Sequence, residues 1–224
     1  MKLTLDLVKQ NPKIKDFVNQ TERYLNALGY TDHGTRHINI VADRAKSLAH
    51  KLGLSEREQE LASIAGYCHD MGNFLGRTQH HYWASFLFSQ VFLNEVDNPN
   101  DVSTIIQAIV SHDKDELKIV NKVTAVLILA DKSDVHRSRV KNHKMRQNDP
   151  QEDIHDRVNY AVIDNDLIVD PKKKIITLRM QLDTKFSAPL EYFEIFTERM
   201  AFCRIAAEYL SYKFGLEINN FKLL

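Results

Sequence analysis

Apolar residues in the first half of the chain recur at the three-to-four-residue period of helices that bury one face. Asn11-Pro12 supplies a cap and a first-turn proline, Phe17, Tyr24, Leu25 and Leu28 form a stripe, and Gly29 stops it. A second helix is predicted from about Gly34 to Leu52, with Ile38, Val41, Ala45 and Leu48 on one face and Gly53 as terminator. Ser55-Glu56-Arg57-Glu58 reads as a capping box that opens a helix through Leu61, Ile64, Ala65 and Cys68, ending at Gly72. His80 to Val96 is apolar nearly all round, Trp83, Phe86 and Phe88 included, and so predicts a deeply buried helix. Two further helices carry Ile105, Ala108 and Ile109, then Val123, Val126, Leu127 and Ala130.

The pattern changes after Val135. Residues 136 to 147 are polar and basic, which predicts a long loop or a solvated helix, and Asn148-Asp149-Pro150 breaks the segment. Ala161 to Val169 and Ile175 to Leu182 lean toward strands, and the Asp-Pro-Lys-Lys-Lys between them is turn chemistry, so a hairpin is predicted. Leu190 to Phe214 returns to helical spacing. The expected fold is mainly α: a helical bundle over residues 1–149, with residues 150–224 adding a small β-hairpin and a long C-terminal helix packed on the same domain.

Composition narrows the class without naming a chemistry. The 224 residues are 43% hydrophobic and 27% charged, enough for a globular core without staples. Thirty Lys and Arg balance thirty Asp and Glu, so no global field draws the chain to nucleic acid or to an anionic membrane. No run of about 18 apolar residues appears, the N-terminus lacks a signal-peptide pattern, and only two cysteines occur. A cytoplasmic protein with neither a membrane nor a specific nucleic-acid partner is expected, with homo-oligomerisation left open. Histidine, at 10, is the one unusual count.

The positions of these histidines change the picture. His37, His69 with Asp70, His112 and Asp131 fall on core-facing sides of different predicted helices. A buried carboxylate needs a partner, and one cation would serve them all. Imidazole with carboxylate and no thiolate cluster suits a divalent transition metal, Mn, Fe, Co, Ni or Zn, better than calcium or a structural zinc site. The His-Asp dipeptide alone says little, since it recurs at His112-Asp113 and His155-Asp156. His136, His143, His155 and His50 are expected on the surface, and Cys68 and Cys203 buried in the core.

His37, then His69-Asp70, a histidine near 80, His112 and Asp131 follow the H…HD…H…H…D order, which resembles the HD-domain superfamily of metal-dependent phosphohydrolases. Asp32-His33-Gly34-Thr35-Arg36-His37 and Leu129-Ala130-Asp131-Lys132-Ser133-Asp134 look like its first and last motifs. The resemblance implies His37, His69, Asp70 and Asp131 as ligands of one metal, with Asp70 bridging to a second. It implies the middle histidines, His80 and His112, as ligands of that second ion or as phosphate contacts; His81 competes with His80 for its place. One or two cations would polarise a phosphoryl oxygen and bring a bound water toward neutral pKa for attack on phosphorus. Asp70, His80 and Lys132 are the expected catalytic groups, and Arg36, Lys132 and Arg137 the expected substrate contacts; the basic run from Arg137 to Arg146 could clamp phosphates. The expected substrate is a small phosphomonoester, phosphodiester or nucleotide. An HD-fold di-iron oxygenase and a non-catalytic nucleotide-sensing module are the alternatives.

Overall fold

Several helix starts in this chain are set by short polar caps. The computed structural model describes residues 1–30, 34–113, 118–140 and 153–223. A short helix α1 (Leu5–Gln10), not foreseen in the sequence, is capped by Thr4. Asn11 caps α2 (Pro12–Ala27), whose proline occupies the first turn, where no backbone N–H is missed. Then come α3 (Thr35–Lys51), α4 (Glu56–Cys68) with the Ser55–Glu58 capping box formed, α5 (His80–Phe92), α6 (Pro99–Ser111) capped by Asn98, and α7 (Lys122–Lys132).

The chain divides into two compact units, Met1–Asp131 and Lys132–Leu224. The boundary expected at 149–150 lies in residues 141–152, outside the described residues, as do Lys141, His143, Lys144 and Arg146 of the basic run.

In the first unit α3 and α4 pack closely, and Gly66 is what permits it. A Cβ added there would stand 2.9 Å from the Cα of Ala42. After α4 the chain turns through a 3-10 segment, Asn73–Leu75, and a second, Arg77–Gln79, before α5 begins. Gly72 sits where this turn meets α5, and a Cβ on it would lie 2.3 Å from the His80 carbonyl oxygen and 2.4 Å from the Ala84 nitrogen. Its φ of −87° is open to any residue. Close approach, then, is what requires a glycine here.

α5 corrects one expectation. Phe88 and Phe92 are fully buried, but Tyr82, Trp83 and Phe86 are 47%, 39% and 54% exposed. All-round apolarity does not bury this helix on every side, and Trp83 and Phe86 are not core.

In the second unit α8 (Ile154–Ala161), capped by Asp153 and also unforeseen, leads into β1 (Val162–Asp170). The predicted hairpin forms: β1 pairs antiparallel with β2 (Ile175–Leu182). The long helix α9 (Pro189–Tyr209) stops earlier than its apolar spacing suggested. Ser211 takes a left-handed φ of 63°, and the chain leaves as β3 (Lys213–Ile218), parallel to β2, with β4 (Phe221–Lys222) on its edge. A parallel neighbour needs a long crossover, which α9 supplies. The hairpin is therefore half of a four-stranded sheet in the order β1-β2-β3-β4. No helix among the described residues is long and apolar enough to cross a membrane.

Gly72→Ala is expected to lower unfolding stability by about 1–3 kcal/mol, the usual cost of overpacking against backbone. Urea denaturation followed by circular dichroism checks it, and an unchanged midpoint would show that the turn and α5 can move apart without cost.

Candidate metal centre

Each polar side chain of the predicted set is delivered inward by an apolar helix face. His37 stands in the first turns of α3 beside Ile38 and Val41, His69 and Asp70 close the C-terminus of α4, His80 opens α5, His112 follows α6, and Asp131 lies near the end of α7. All six are buried, with relative exposures of 0% for His37 and His69, 2% for Asp70, 1% for His80 and His112, and 9% for Asp131. They lie within the first compact unit.

Their ligand atoms converge. His37 Nε2 is 3.3 Å from His69 Nε2, 3.6 Å from Asp70 Oδ2 and 3.4 Å from Asp131 Oδ1. His69 Nε2 is 3.4 Å from Asp70 Oδ2 and 3.6 Å from Asp131 Oδ1. On the other side of the same carboxyl group, Asp70 Oδ1 is 3.2 Å from His80 Nε2, which is 3.2 Å from His112 Nε2. Asp70 therefore presents one oxygen to each of two donor groups: His37, His69 and Asp131 at Oδ2, His80 and His112 at Oδ1.

Backbone carbonyls fix the rings. His69 Nδ1 donates to the Gly66 carbonyl at 2.8 Å, His80 Nδ1 to that of Arg77 at 2.8 Å, and His112 Nδ1 to that of Ile109 at 2.6 Å. A carbonyl oxygen only accepts, so in each neutral ring Nδ1 carries the proton and Nε2 turns its lone pair to the centre. Asn73 holds Asp70 in place, its Nδ2 donating to the Asp70 carbonyl at 2.8 Å and to Oδ1 at 3.0 Å.

The donor set fits a divalent transition ion on chemical and metric grounds. Metal–nitrogen and metal–oxygen bonds of about 2.1 Å put neighbouring ligand atoms about 3.0 Å apart in an octahedron and about 3.4 Å apart in a tetrahedron. The separations above are of that size, and the triads His37-His69-Asp70, His69-His112-Asp131 and Asp70-His80-His112 each gather within 4.8 Å. Electrostatics points the same way. Burial opposes charging the His69 ring, yet the Asp70 and Asp131 carboxylates beside it raise its pKa to about 10. Burial works against ionised Asp70 too, but the His69 and His80 rings hold its carboxyl well below the usual carboxylate range. Two buried carboxylates thus draw a positive charge into the cluster, as a proton or as a cation.

The other expected residues lie at different depths. His81 is buried against His80, with its ring centroid 6.3 Å from that of His112, so His80 is the one whose Nε2 reaches Asp70. Arg36 is half-buried in the first turn of α3, next to His37. Lys132 is buried, and Arg137 lies with its guanidinium 5.2 Å from the Tyr160 ring centroid; both belong to the second unit. Arg139 corrects the reading of its run as a solvated or phosphate-holding surface: it is 3% exposed and donates to the Asp134 carbonyl at 2.6 Å. His136 is half-buried, with Nε2 3.1 Å from the Ile163 carbonyl oxygen, whereas His50 and His155 are exposed as expected. Asn73 and Arg77 were missed. Their signal was spacing, since Asn73 and Arg77 follow Asp70 by three and seven residues, but the glycines between them obscure any helical period.

The HD domain family matches residues 35–151, which contain all six converging side chains. An uncharacterized protein of the archaeon Methanocaldococcus jannaschii is 24% identical over 160 residues, covering 62% of this chain and 61% of that protein. The chain thus spans somewhat under two thirds of that relative's length.

Loading a divalent ion near pH 7 is expected to expel about one proton, from His69, and affinity is expected to rise with pH up to about 10. The sign follows because a raised imidazole pKa makes the proton the cation's competitor, while Asp70 is already ionised. Titration calorimetry with Mn in buffers of differing ionisation enthalpy counts the proton.

Proposed function

The chain belongs to the HD domain family, and from that premise we propose that it is a metal-dependent phosphohydrolase acting on a small phosphate ester or nucleotide. The observation that supports this most is the division of Asp70 between two buried donor groups, one of two imidazoles and a carboxylate and the other of two imidazoles, neither with a thiolate. When bound, a cation such as Mn, Fe, Co, Ni or Zn supplies Lewis acidity for a phosphoryl oxygen and acidifies water. The protein's own groups do the rest.

His37, His69, Asp70 and Asp131 would hold the first ion, and Asp70, His80 and His112 a second. His80 keeps Nδ1–H on the Arg77 carbonyl, so its Nε2 is the atom able to hold an ion or to pass a proton to a leaving oxygen. Asp113 is half-buried, with Oδ2 3.8 Å from His80 Nε2. Arg36 is proposed to meet substrate phosphate from its place beside His37. The substrate roles of Lys132 and Arg137 belong to the same proposal and rest on their positions after Asp131 in the chain. A cytoplasmic setting fits Cys68 and Cys203, both buried as thiols.

A panel of phosphomonoesters, phosphodiesters and nucleotides, run with Mn, Co, Ni, Fe and Mg, tests the reading. Phosphate release that depends on metal is expected, with Asp70→Ala losing bound metal and at least about a hundredfold in turnover. Turnover that survives Asp70→Ala would defeat the assignment, and dioxygen-dependent turnover with iron and no phosphate release would favour the oxygenase alternative.

A further inference from the structure

Arg77 stands at the rim of the cluster, tied to it by both backbone and side chain. Its carbonyl oxygen accepts from His80 Nδ1 at 2.8 Å. Its Nη1 donates to Asn73 Oδ1 at 2.9 Å, and Asn73 in turn donates to Asp70 Oδ1 at 3.0 Å. The same Nη1 lies 3.9 Å from Asp70 Oδ1, the oxygen facing His80. Asp70 is 3% exposed at its side chain, but Arg77 is 33% exposed. One guanidinium therefore touches the dry cluster at one edge and solvent at the other.

We propose that Arg77 is a substrate-contacting residue, which receives the phosphoryl group of the ester beside the Asp70 Oδ1, His80 and His112 half of the site. The inference rests on the phosphohydrolase reading for its substrate class. Three physical points carry it. A guanidinium has five N–H donors in a planar fork suited to two phosphate oxygens, and a third of this side chain is open to solvent. Its charge is permanent, so it balances phosphate negative charge that buried imidazoles can meet only by protonation. Asn73 pins the guanidinium from behind and costs it side-chain freedom before any ligand arrives, so less is lost on binding.

The same anchoring explains why Arg77 does not simply neutralise Asp70. At 3.9 Å the pair is longer than a hydrogen bond, and Asn73 fills the hydrogen-bonding position on Oδ1. The guanidinium stays at the rim and Asp70 keeps its charge for a cation. Arg77 stands three residues before His80, so the turn that fixes the histidine also fixes the cation.

The test uses full-length protein loaded with Mn, and the probe is inorganic phosphate. Arg77→Gln is expected to keep the wild-type metal content by mass spectrometry and the wild-type unfolding midpoint, yet to weaken phosphate binding in calorimetry about tenfold or more. Arg77→Lys, which keeps charge but not the fork, should recover only part of the loss. With a hydrolysed ester from the panel, Arg77→Gln should raise KM by a similar factor. Undiminished phosphate affinity in Arg77→Gln, no phosphate binding by the wild type, or metal loss as the sole defect would each overturn the inference. The two readings fail separately. Hydrolysis unaffected by Arg77→Gln removes Arg77 and leaves the enzyme, whereas Arg77-dependent phosphate binding without turnover on any ester leaves Arg77 and removes the hydrolase.

Discussion

Two carboxylates and four imidazoles cannot share a dry pocket at separations of 3.2–3.6 Å unless positive charge sits among them. Asp70 and Asp131 would otherwise repel across a medium with little water to screen them. The raised pKa of His69 and the depressed one of Asp70 are two expressions of that demand. A cation satisfies it with the lone pairs of Nε2 and the carboxylate oxygens already aimed inward, and little rearrangement is left for the moment of binding.

The scaffold enforces this arrangement by close approach rather than by many bonds. Gly66 lets α4 come against Ala42 of α3, which brings His69 to His37. Gly72 lets the turn after Asp70 press on the start of α5, which brings His80 to Asp70. The Gly66 carbonyl accepts from His69, so one glycine both admits the helix and orients the ring. Packing and ligand direction are set by the same few atoms. That coupling makes the centre a property of the fold and not of any single loop.

The second unit obeys a different logic. Its sheet is mixed: an antiparallel hairpin continues into a parallel strand by way of α9. Alternate residues Phe214, Leu216 and Ile218 are buried in β3, as the period of a strand requires. That alternation was present in the sequence, but it follows a long helical repeat directly, and Phe214 suits either period. Ser211 decides between them by taking the left-handed turn.

Read alone, the sequence determined the helical class, the caps at Asn11 and Ser55, the hairpin flanking Pro171, and the identities of five of the six converging side chains. Each is local or ordered information: a cap is read from four residues, a stripe from two turns, and a ligand set from its order along the chain. Only the tertiary structure decided which of His80 and His81 faces Asp70, that Trp83 and Phe86 stay exposed, that Arg139 is buried, and that Asn73 and Arg77 join the site. The physical reason is that composition reports how apolar a face is but not whether another element covers it. A side chain's direction at a helix start or in a 3-10 turn likewise depends on atoms far away in sequence, here the Asp70 carboxyl and the close seat of Gly72 on α5.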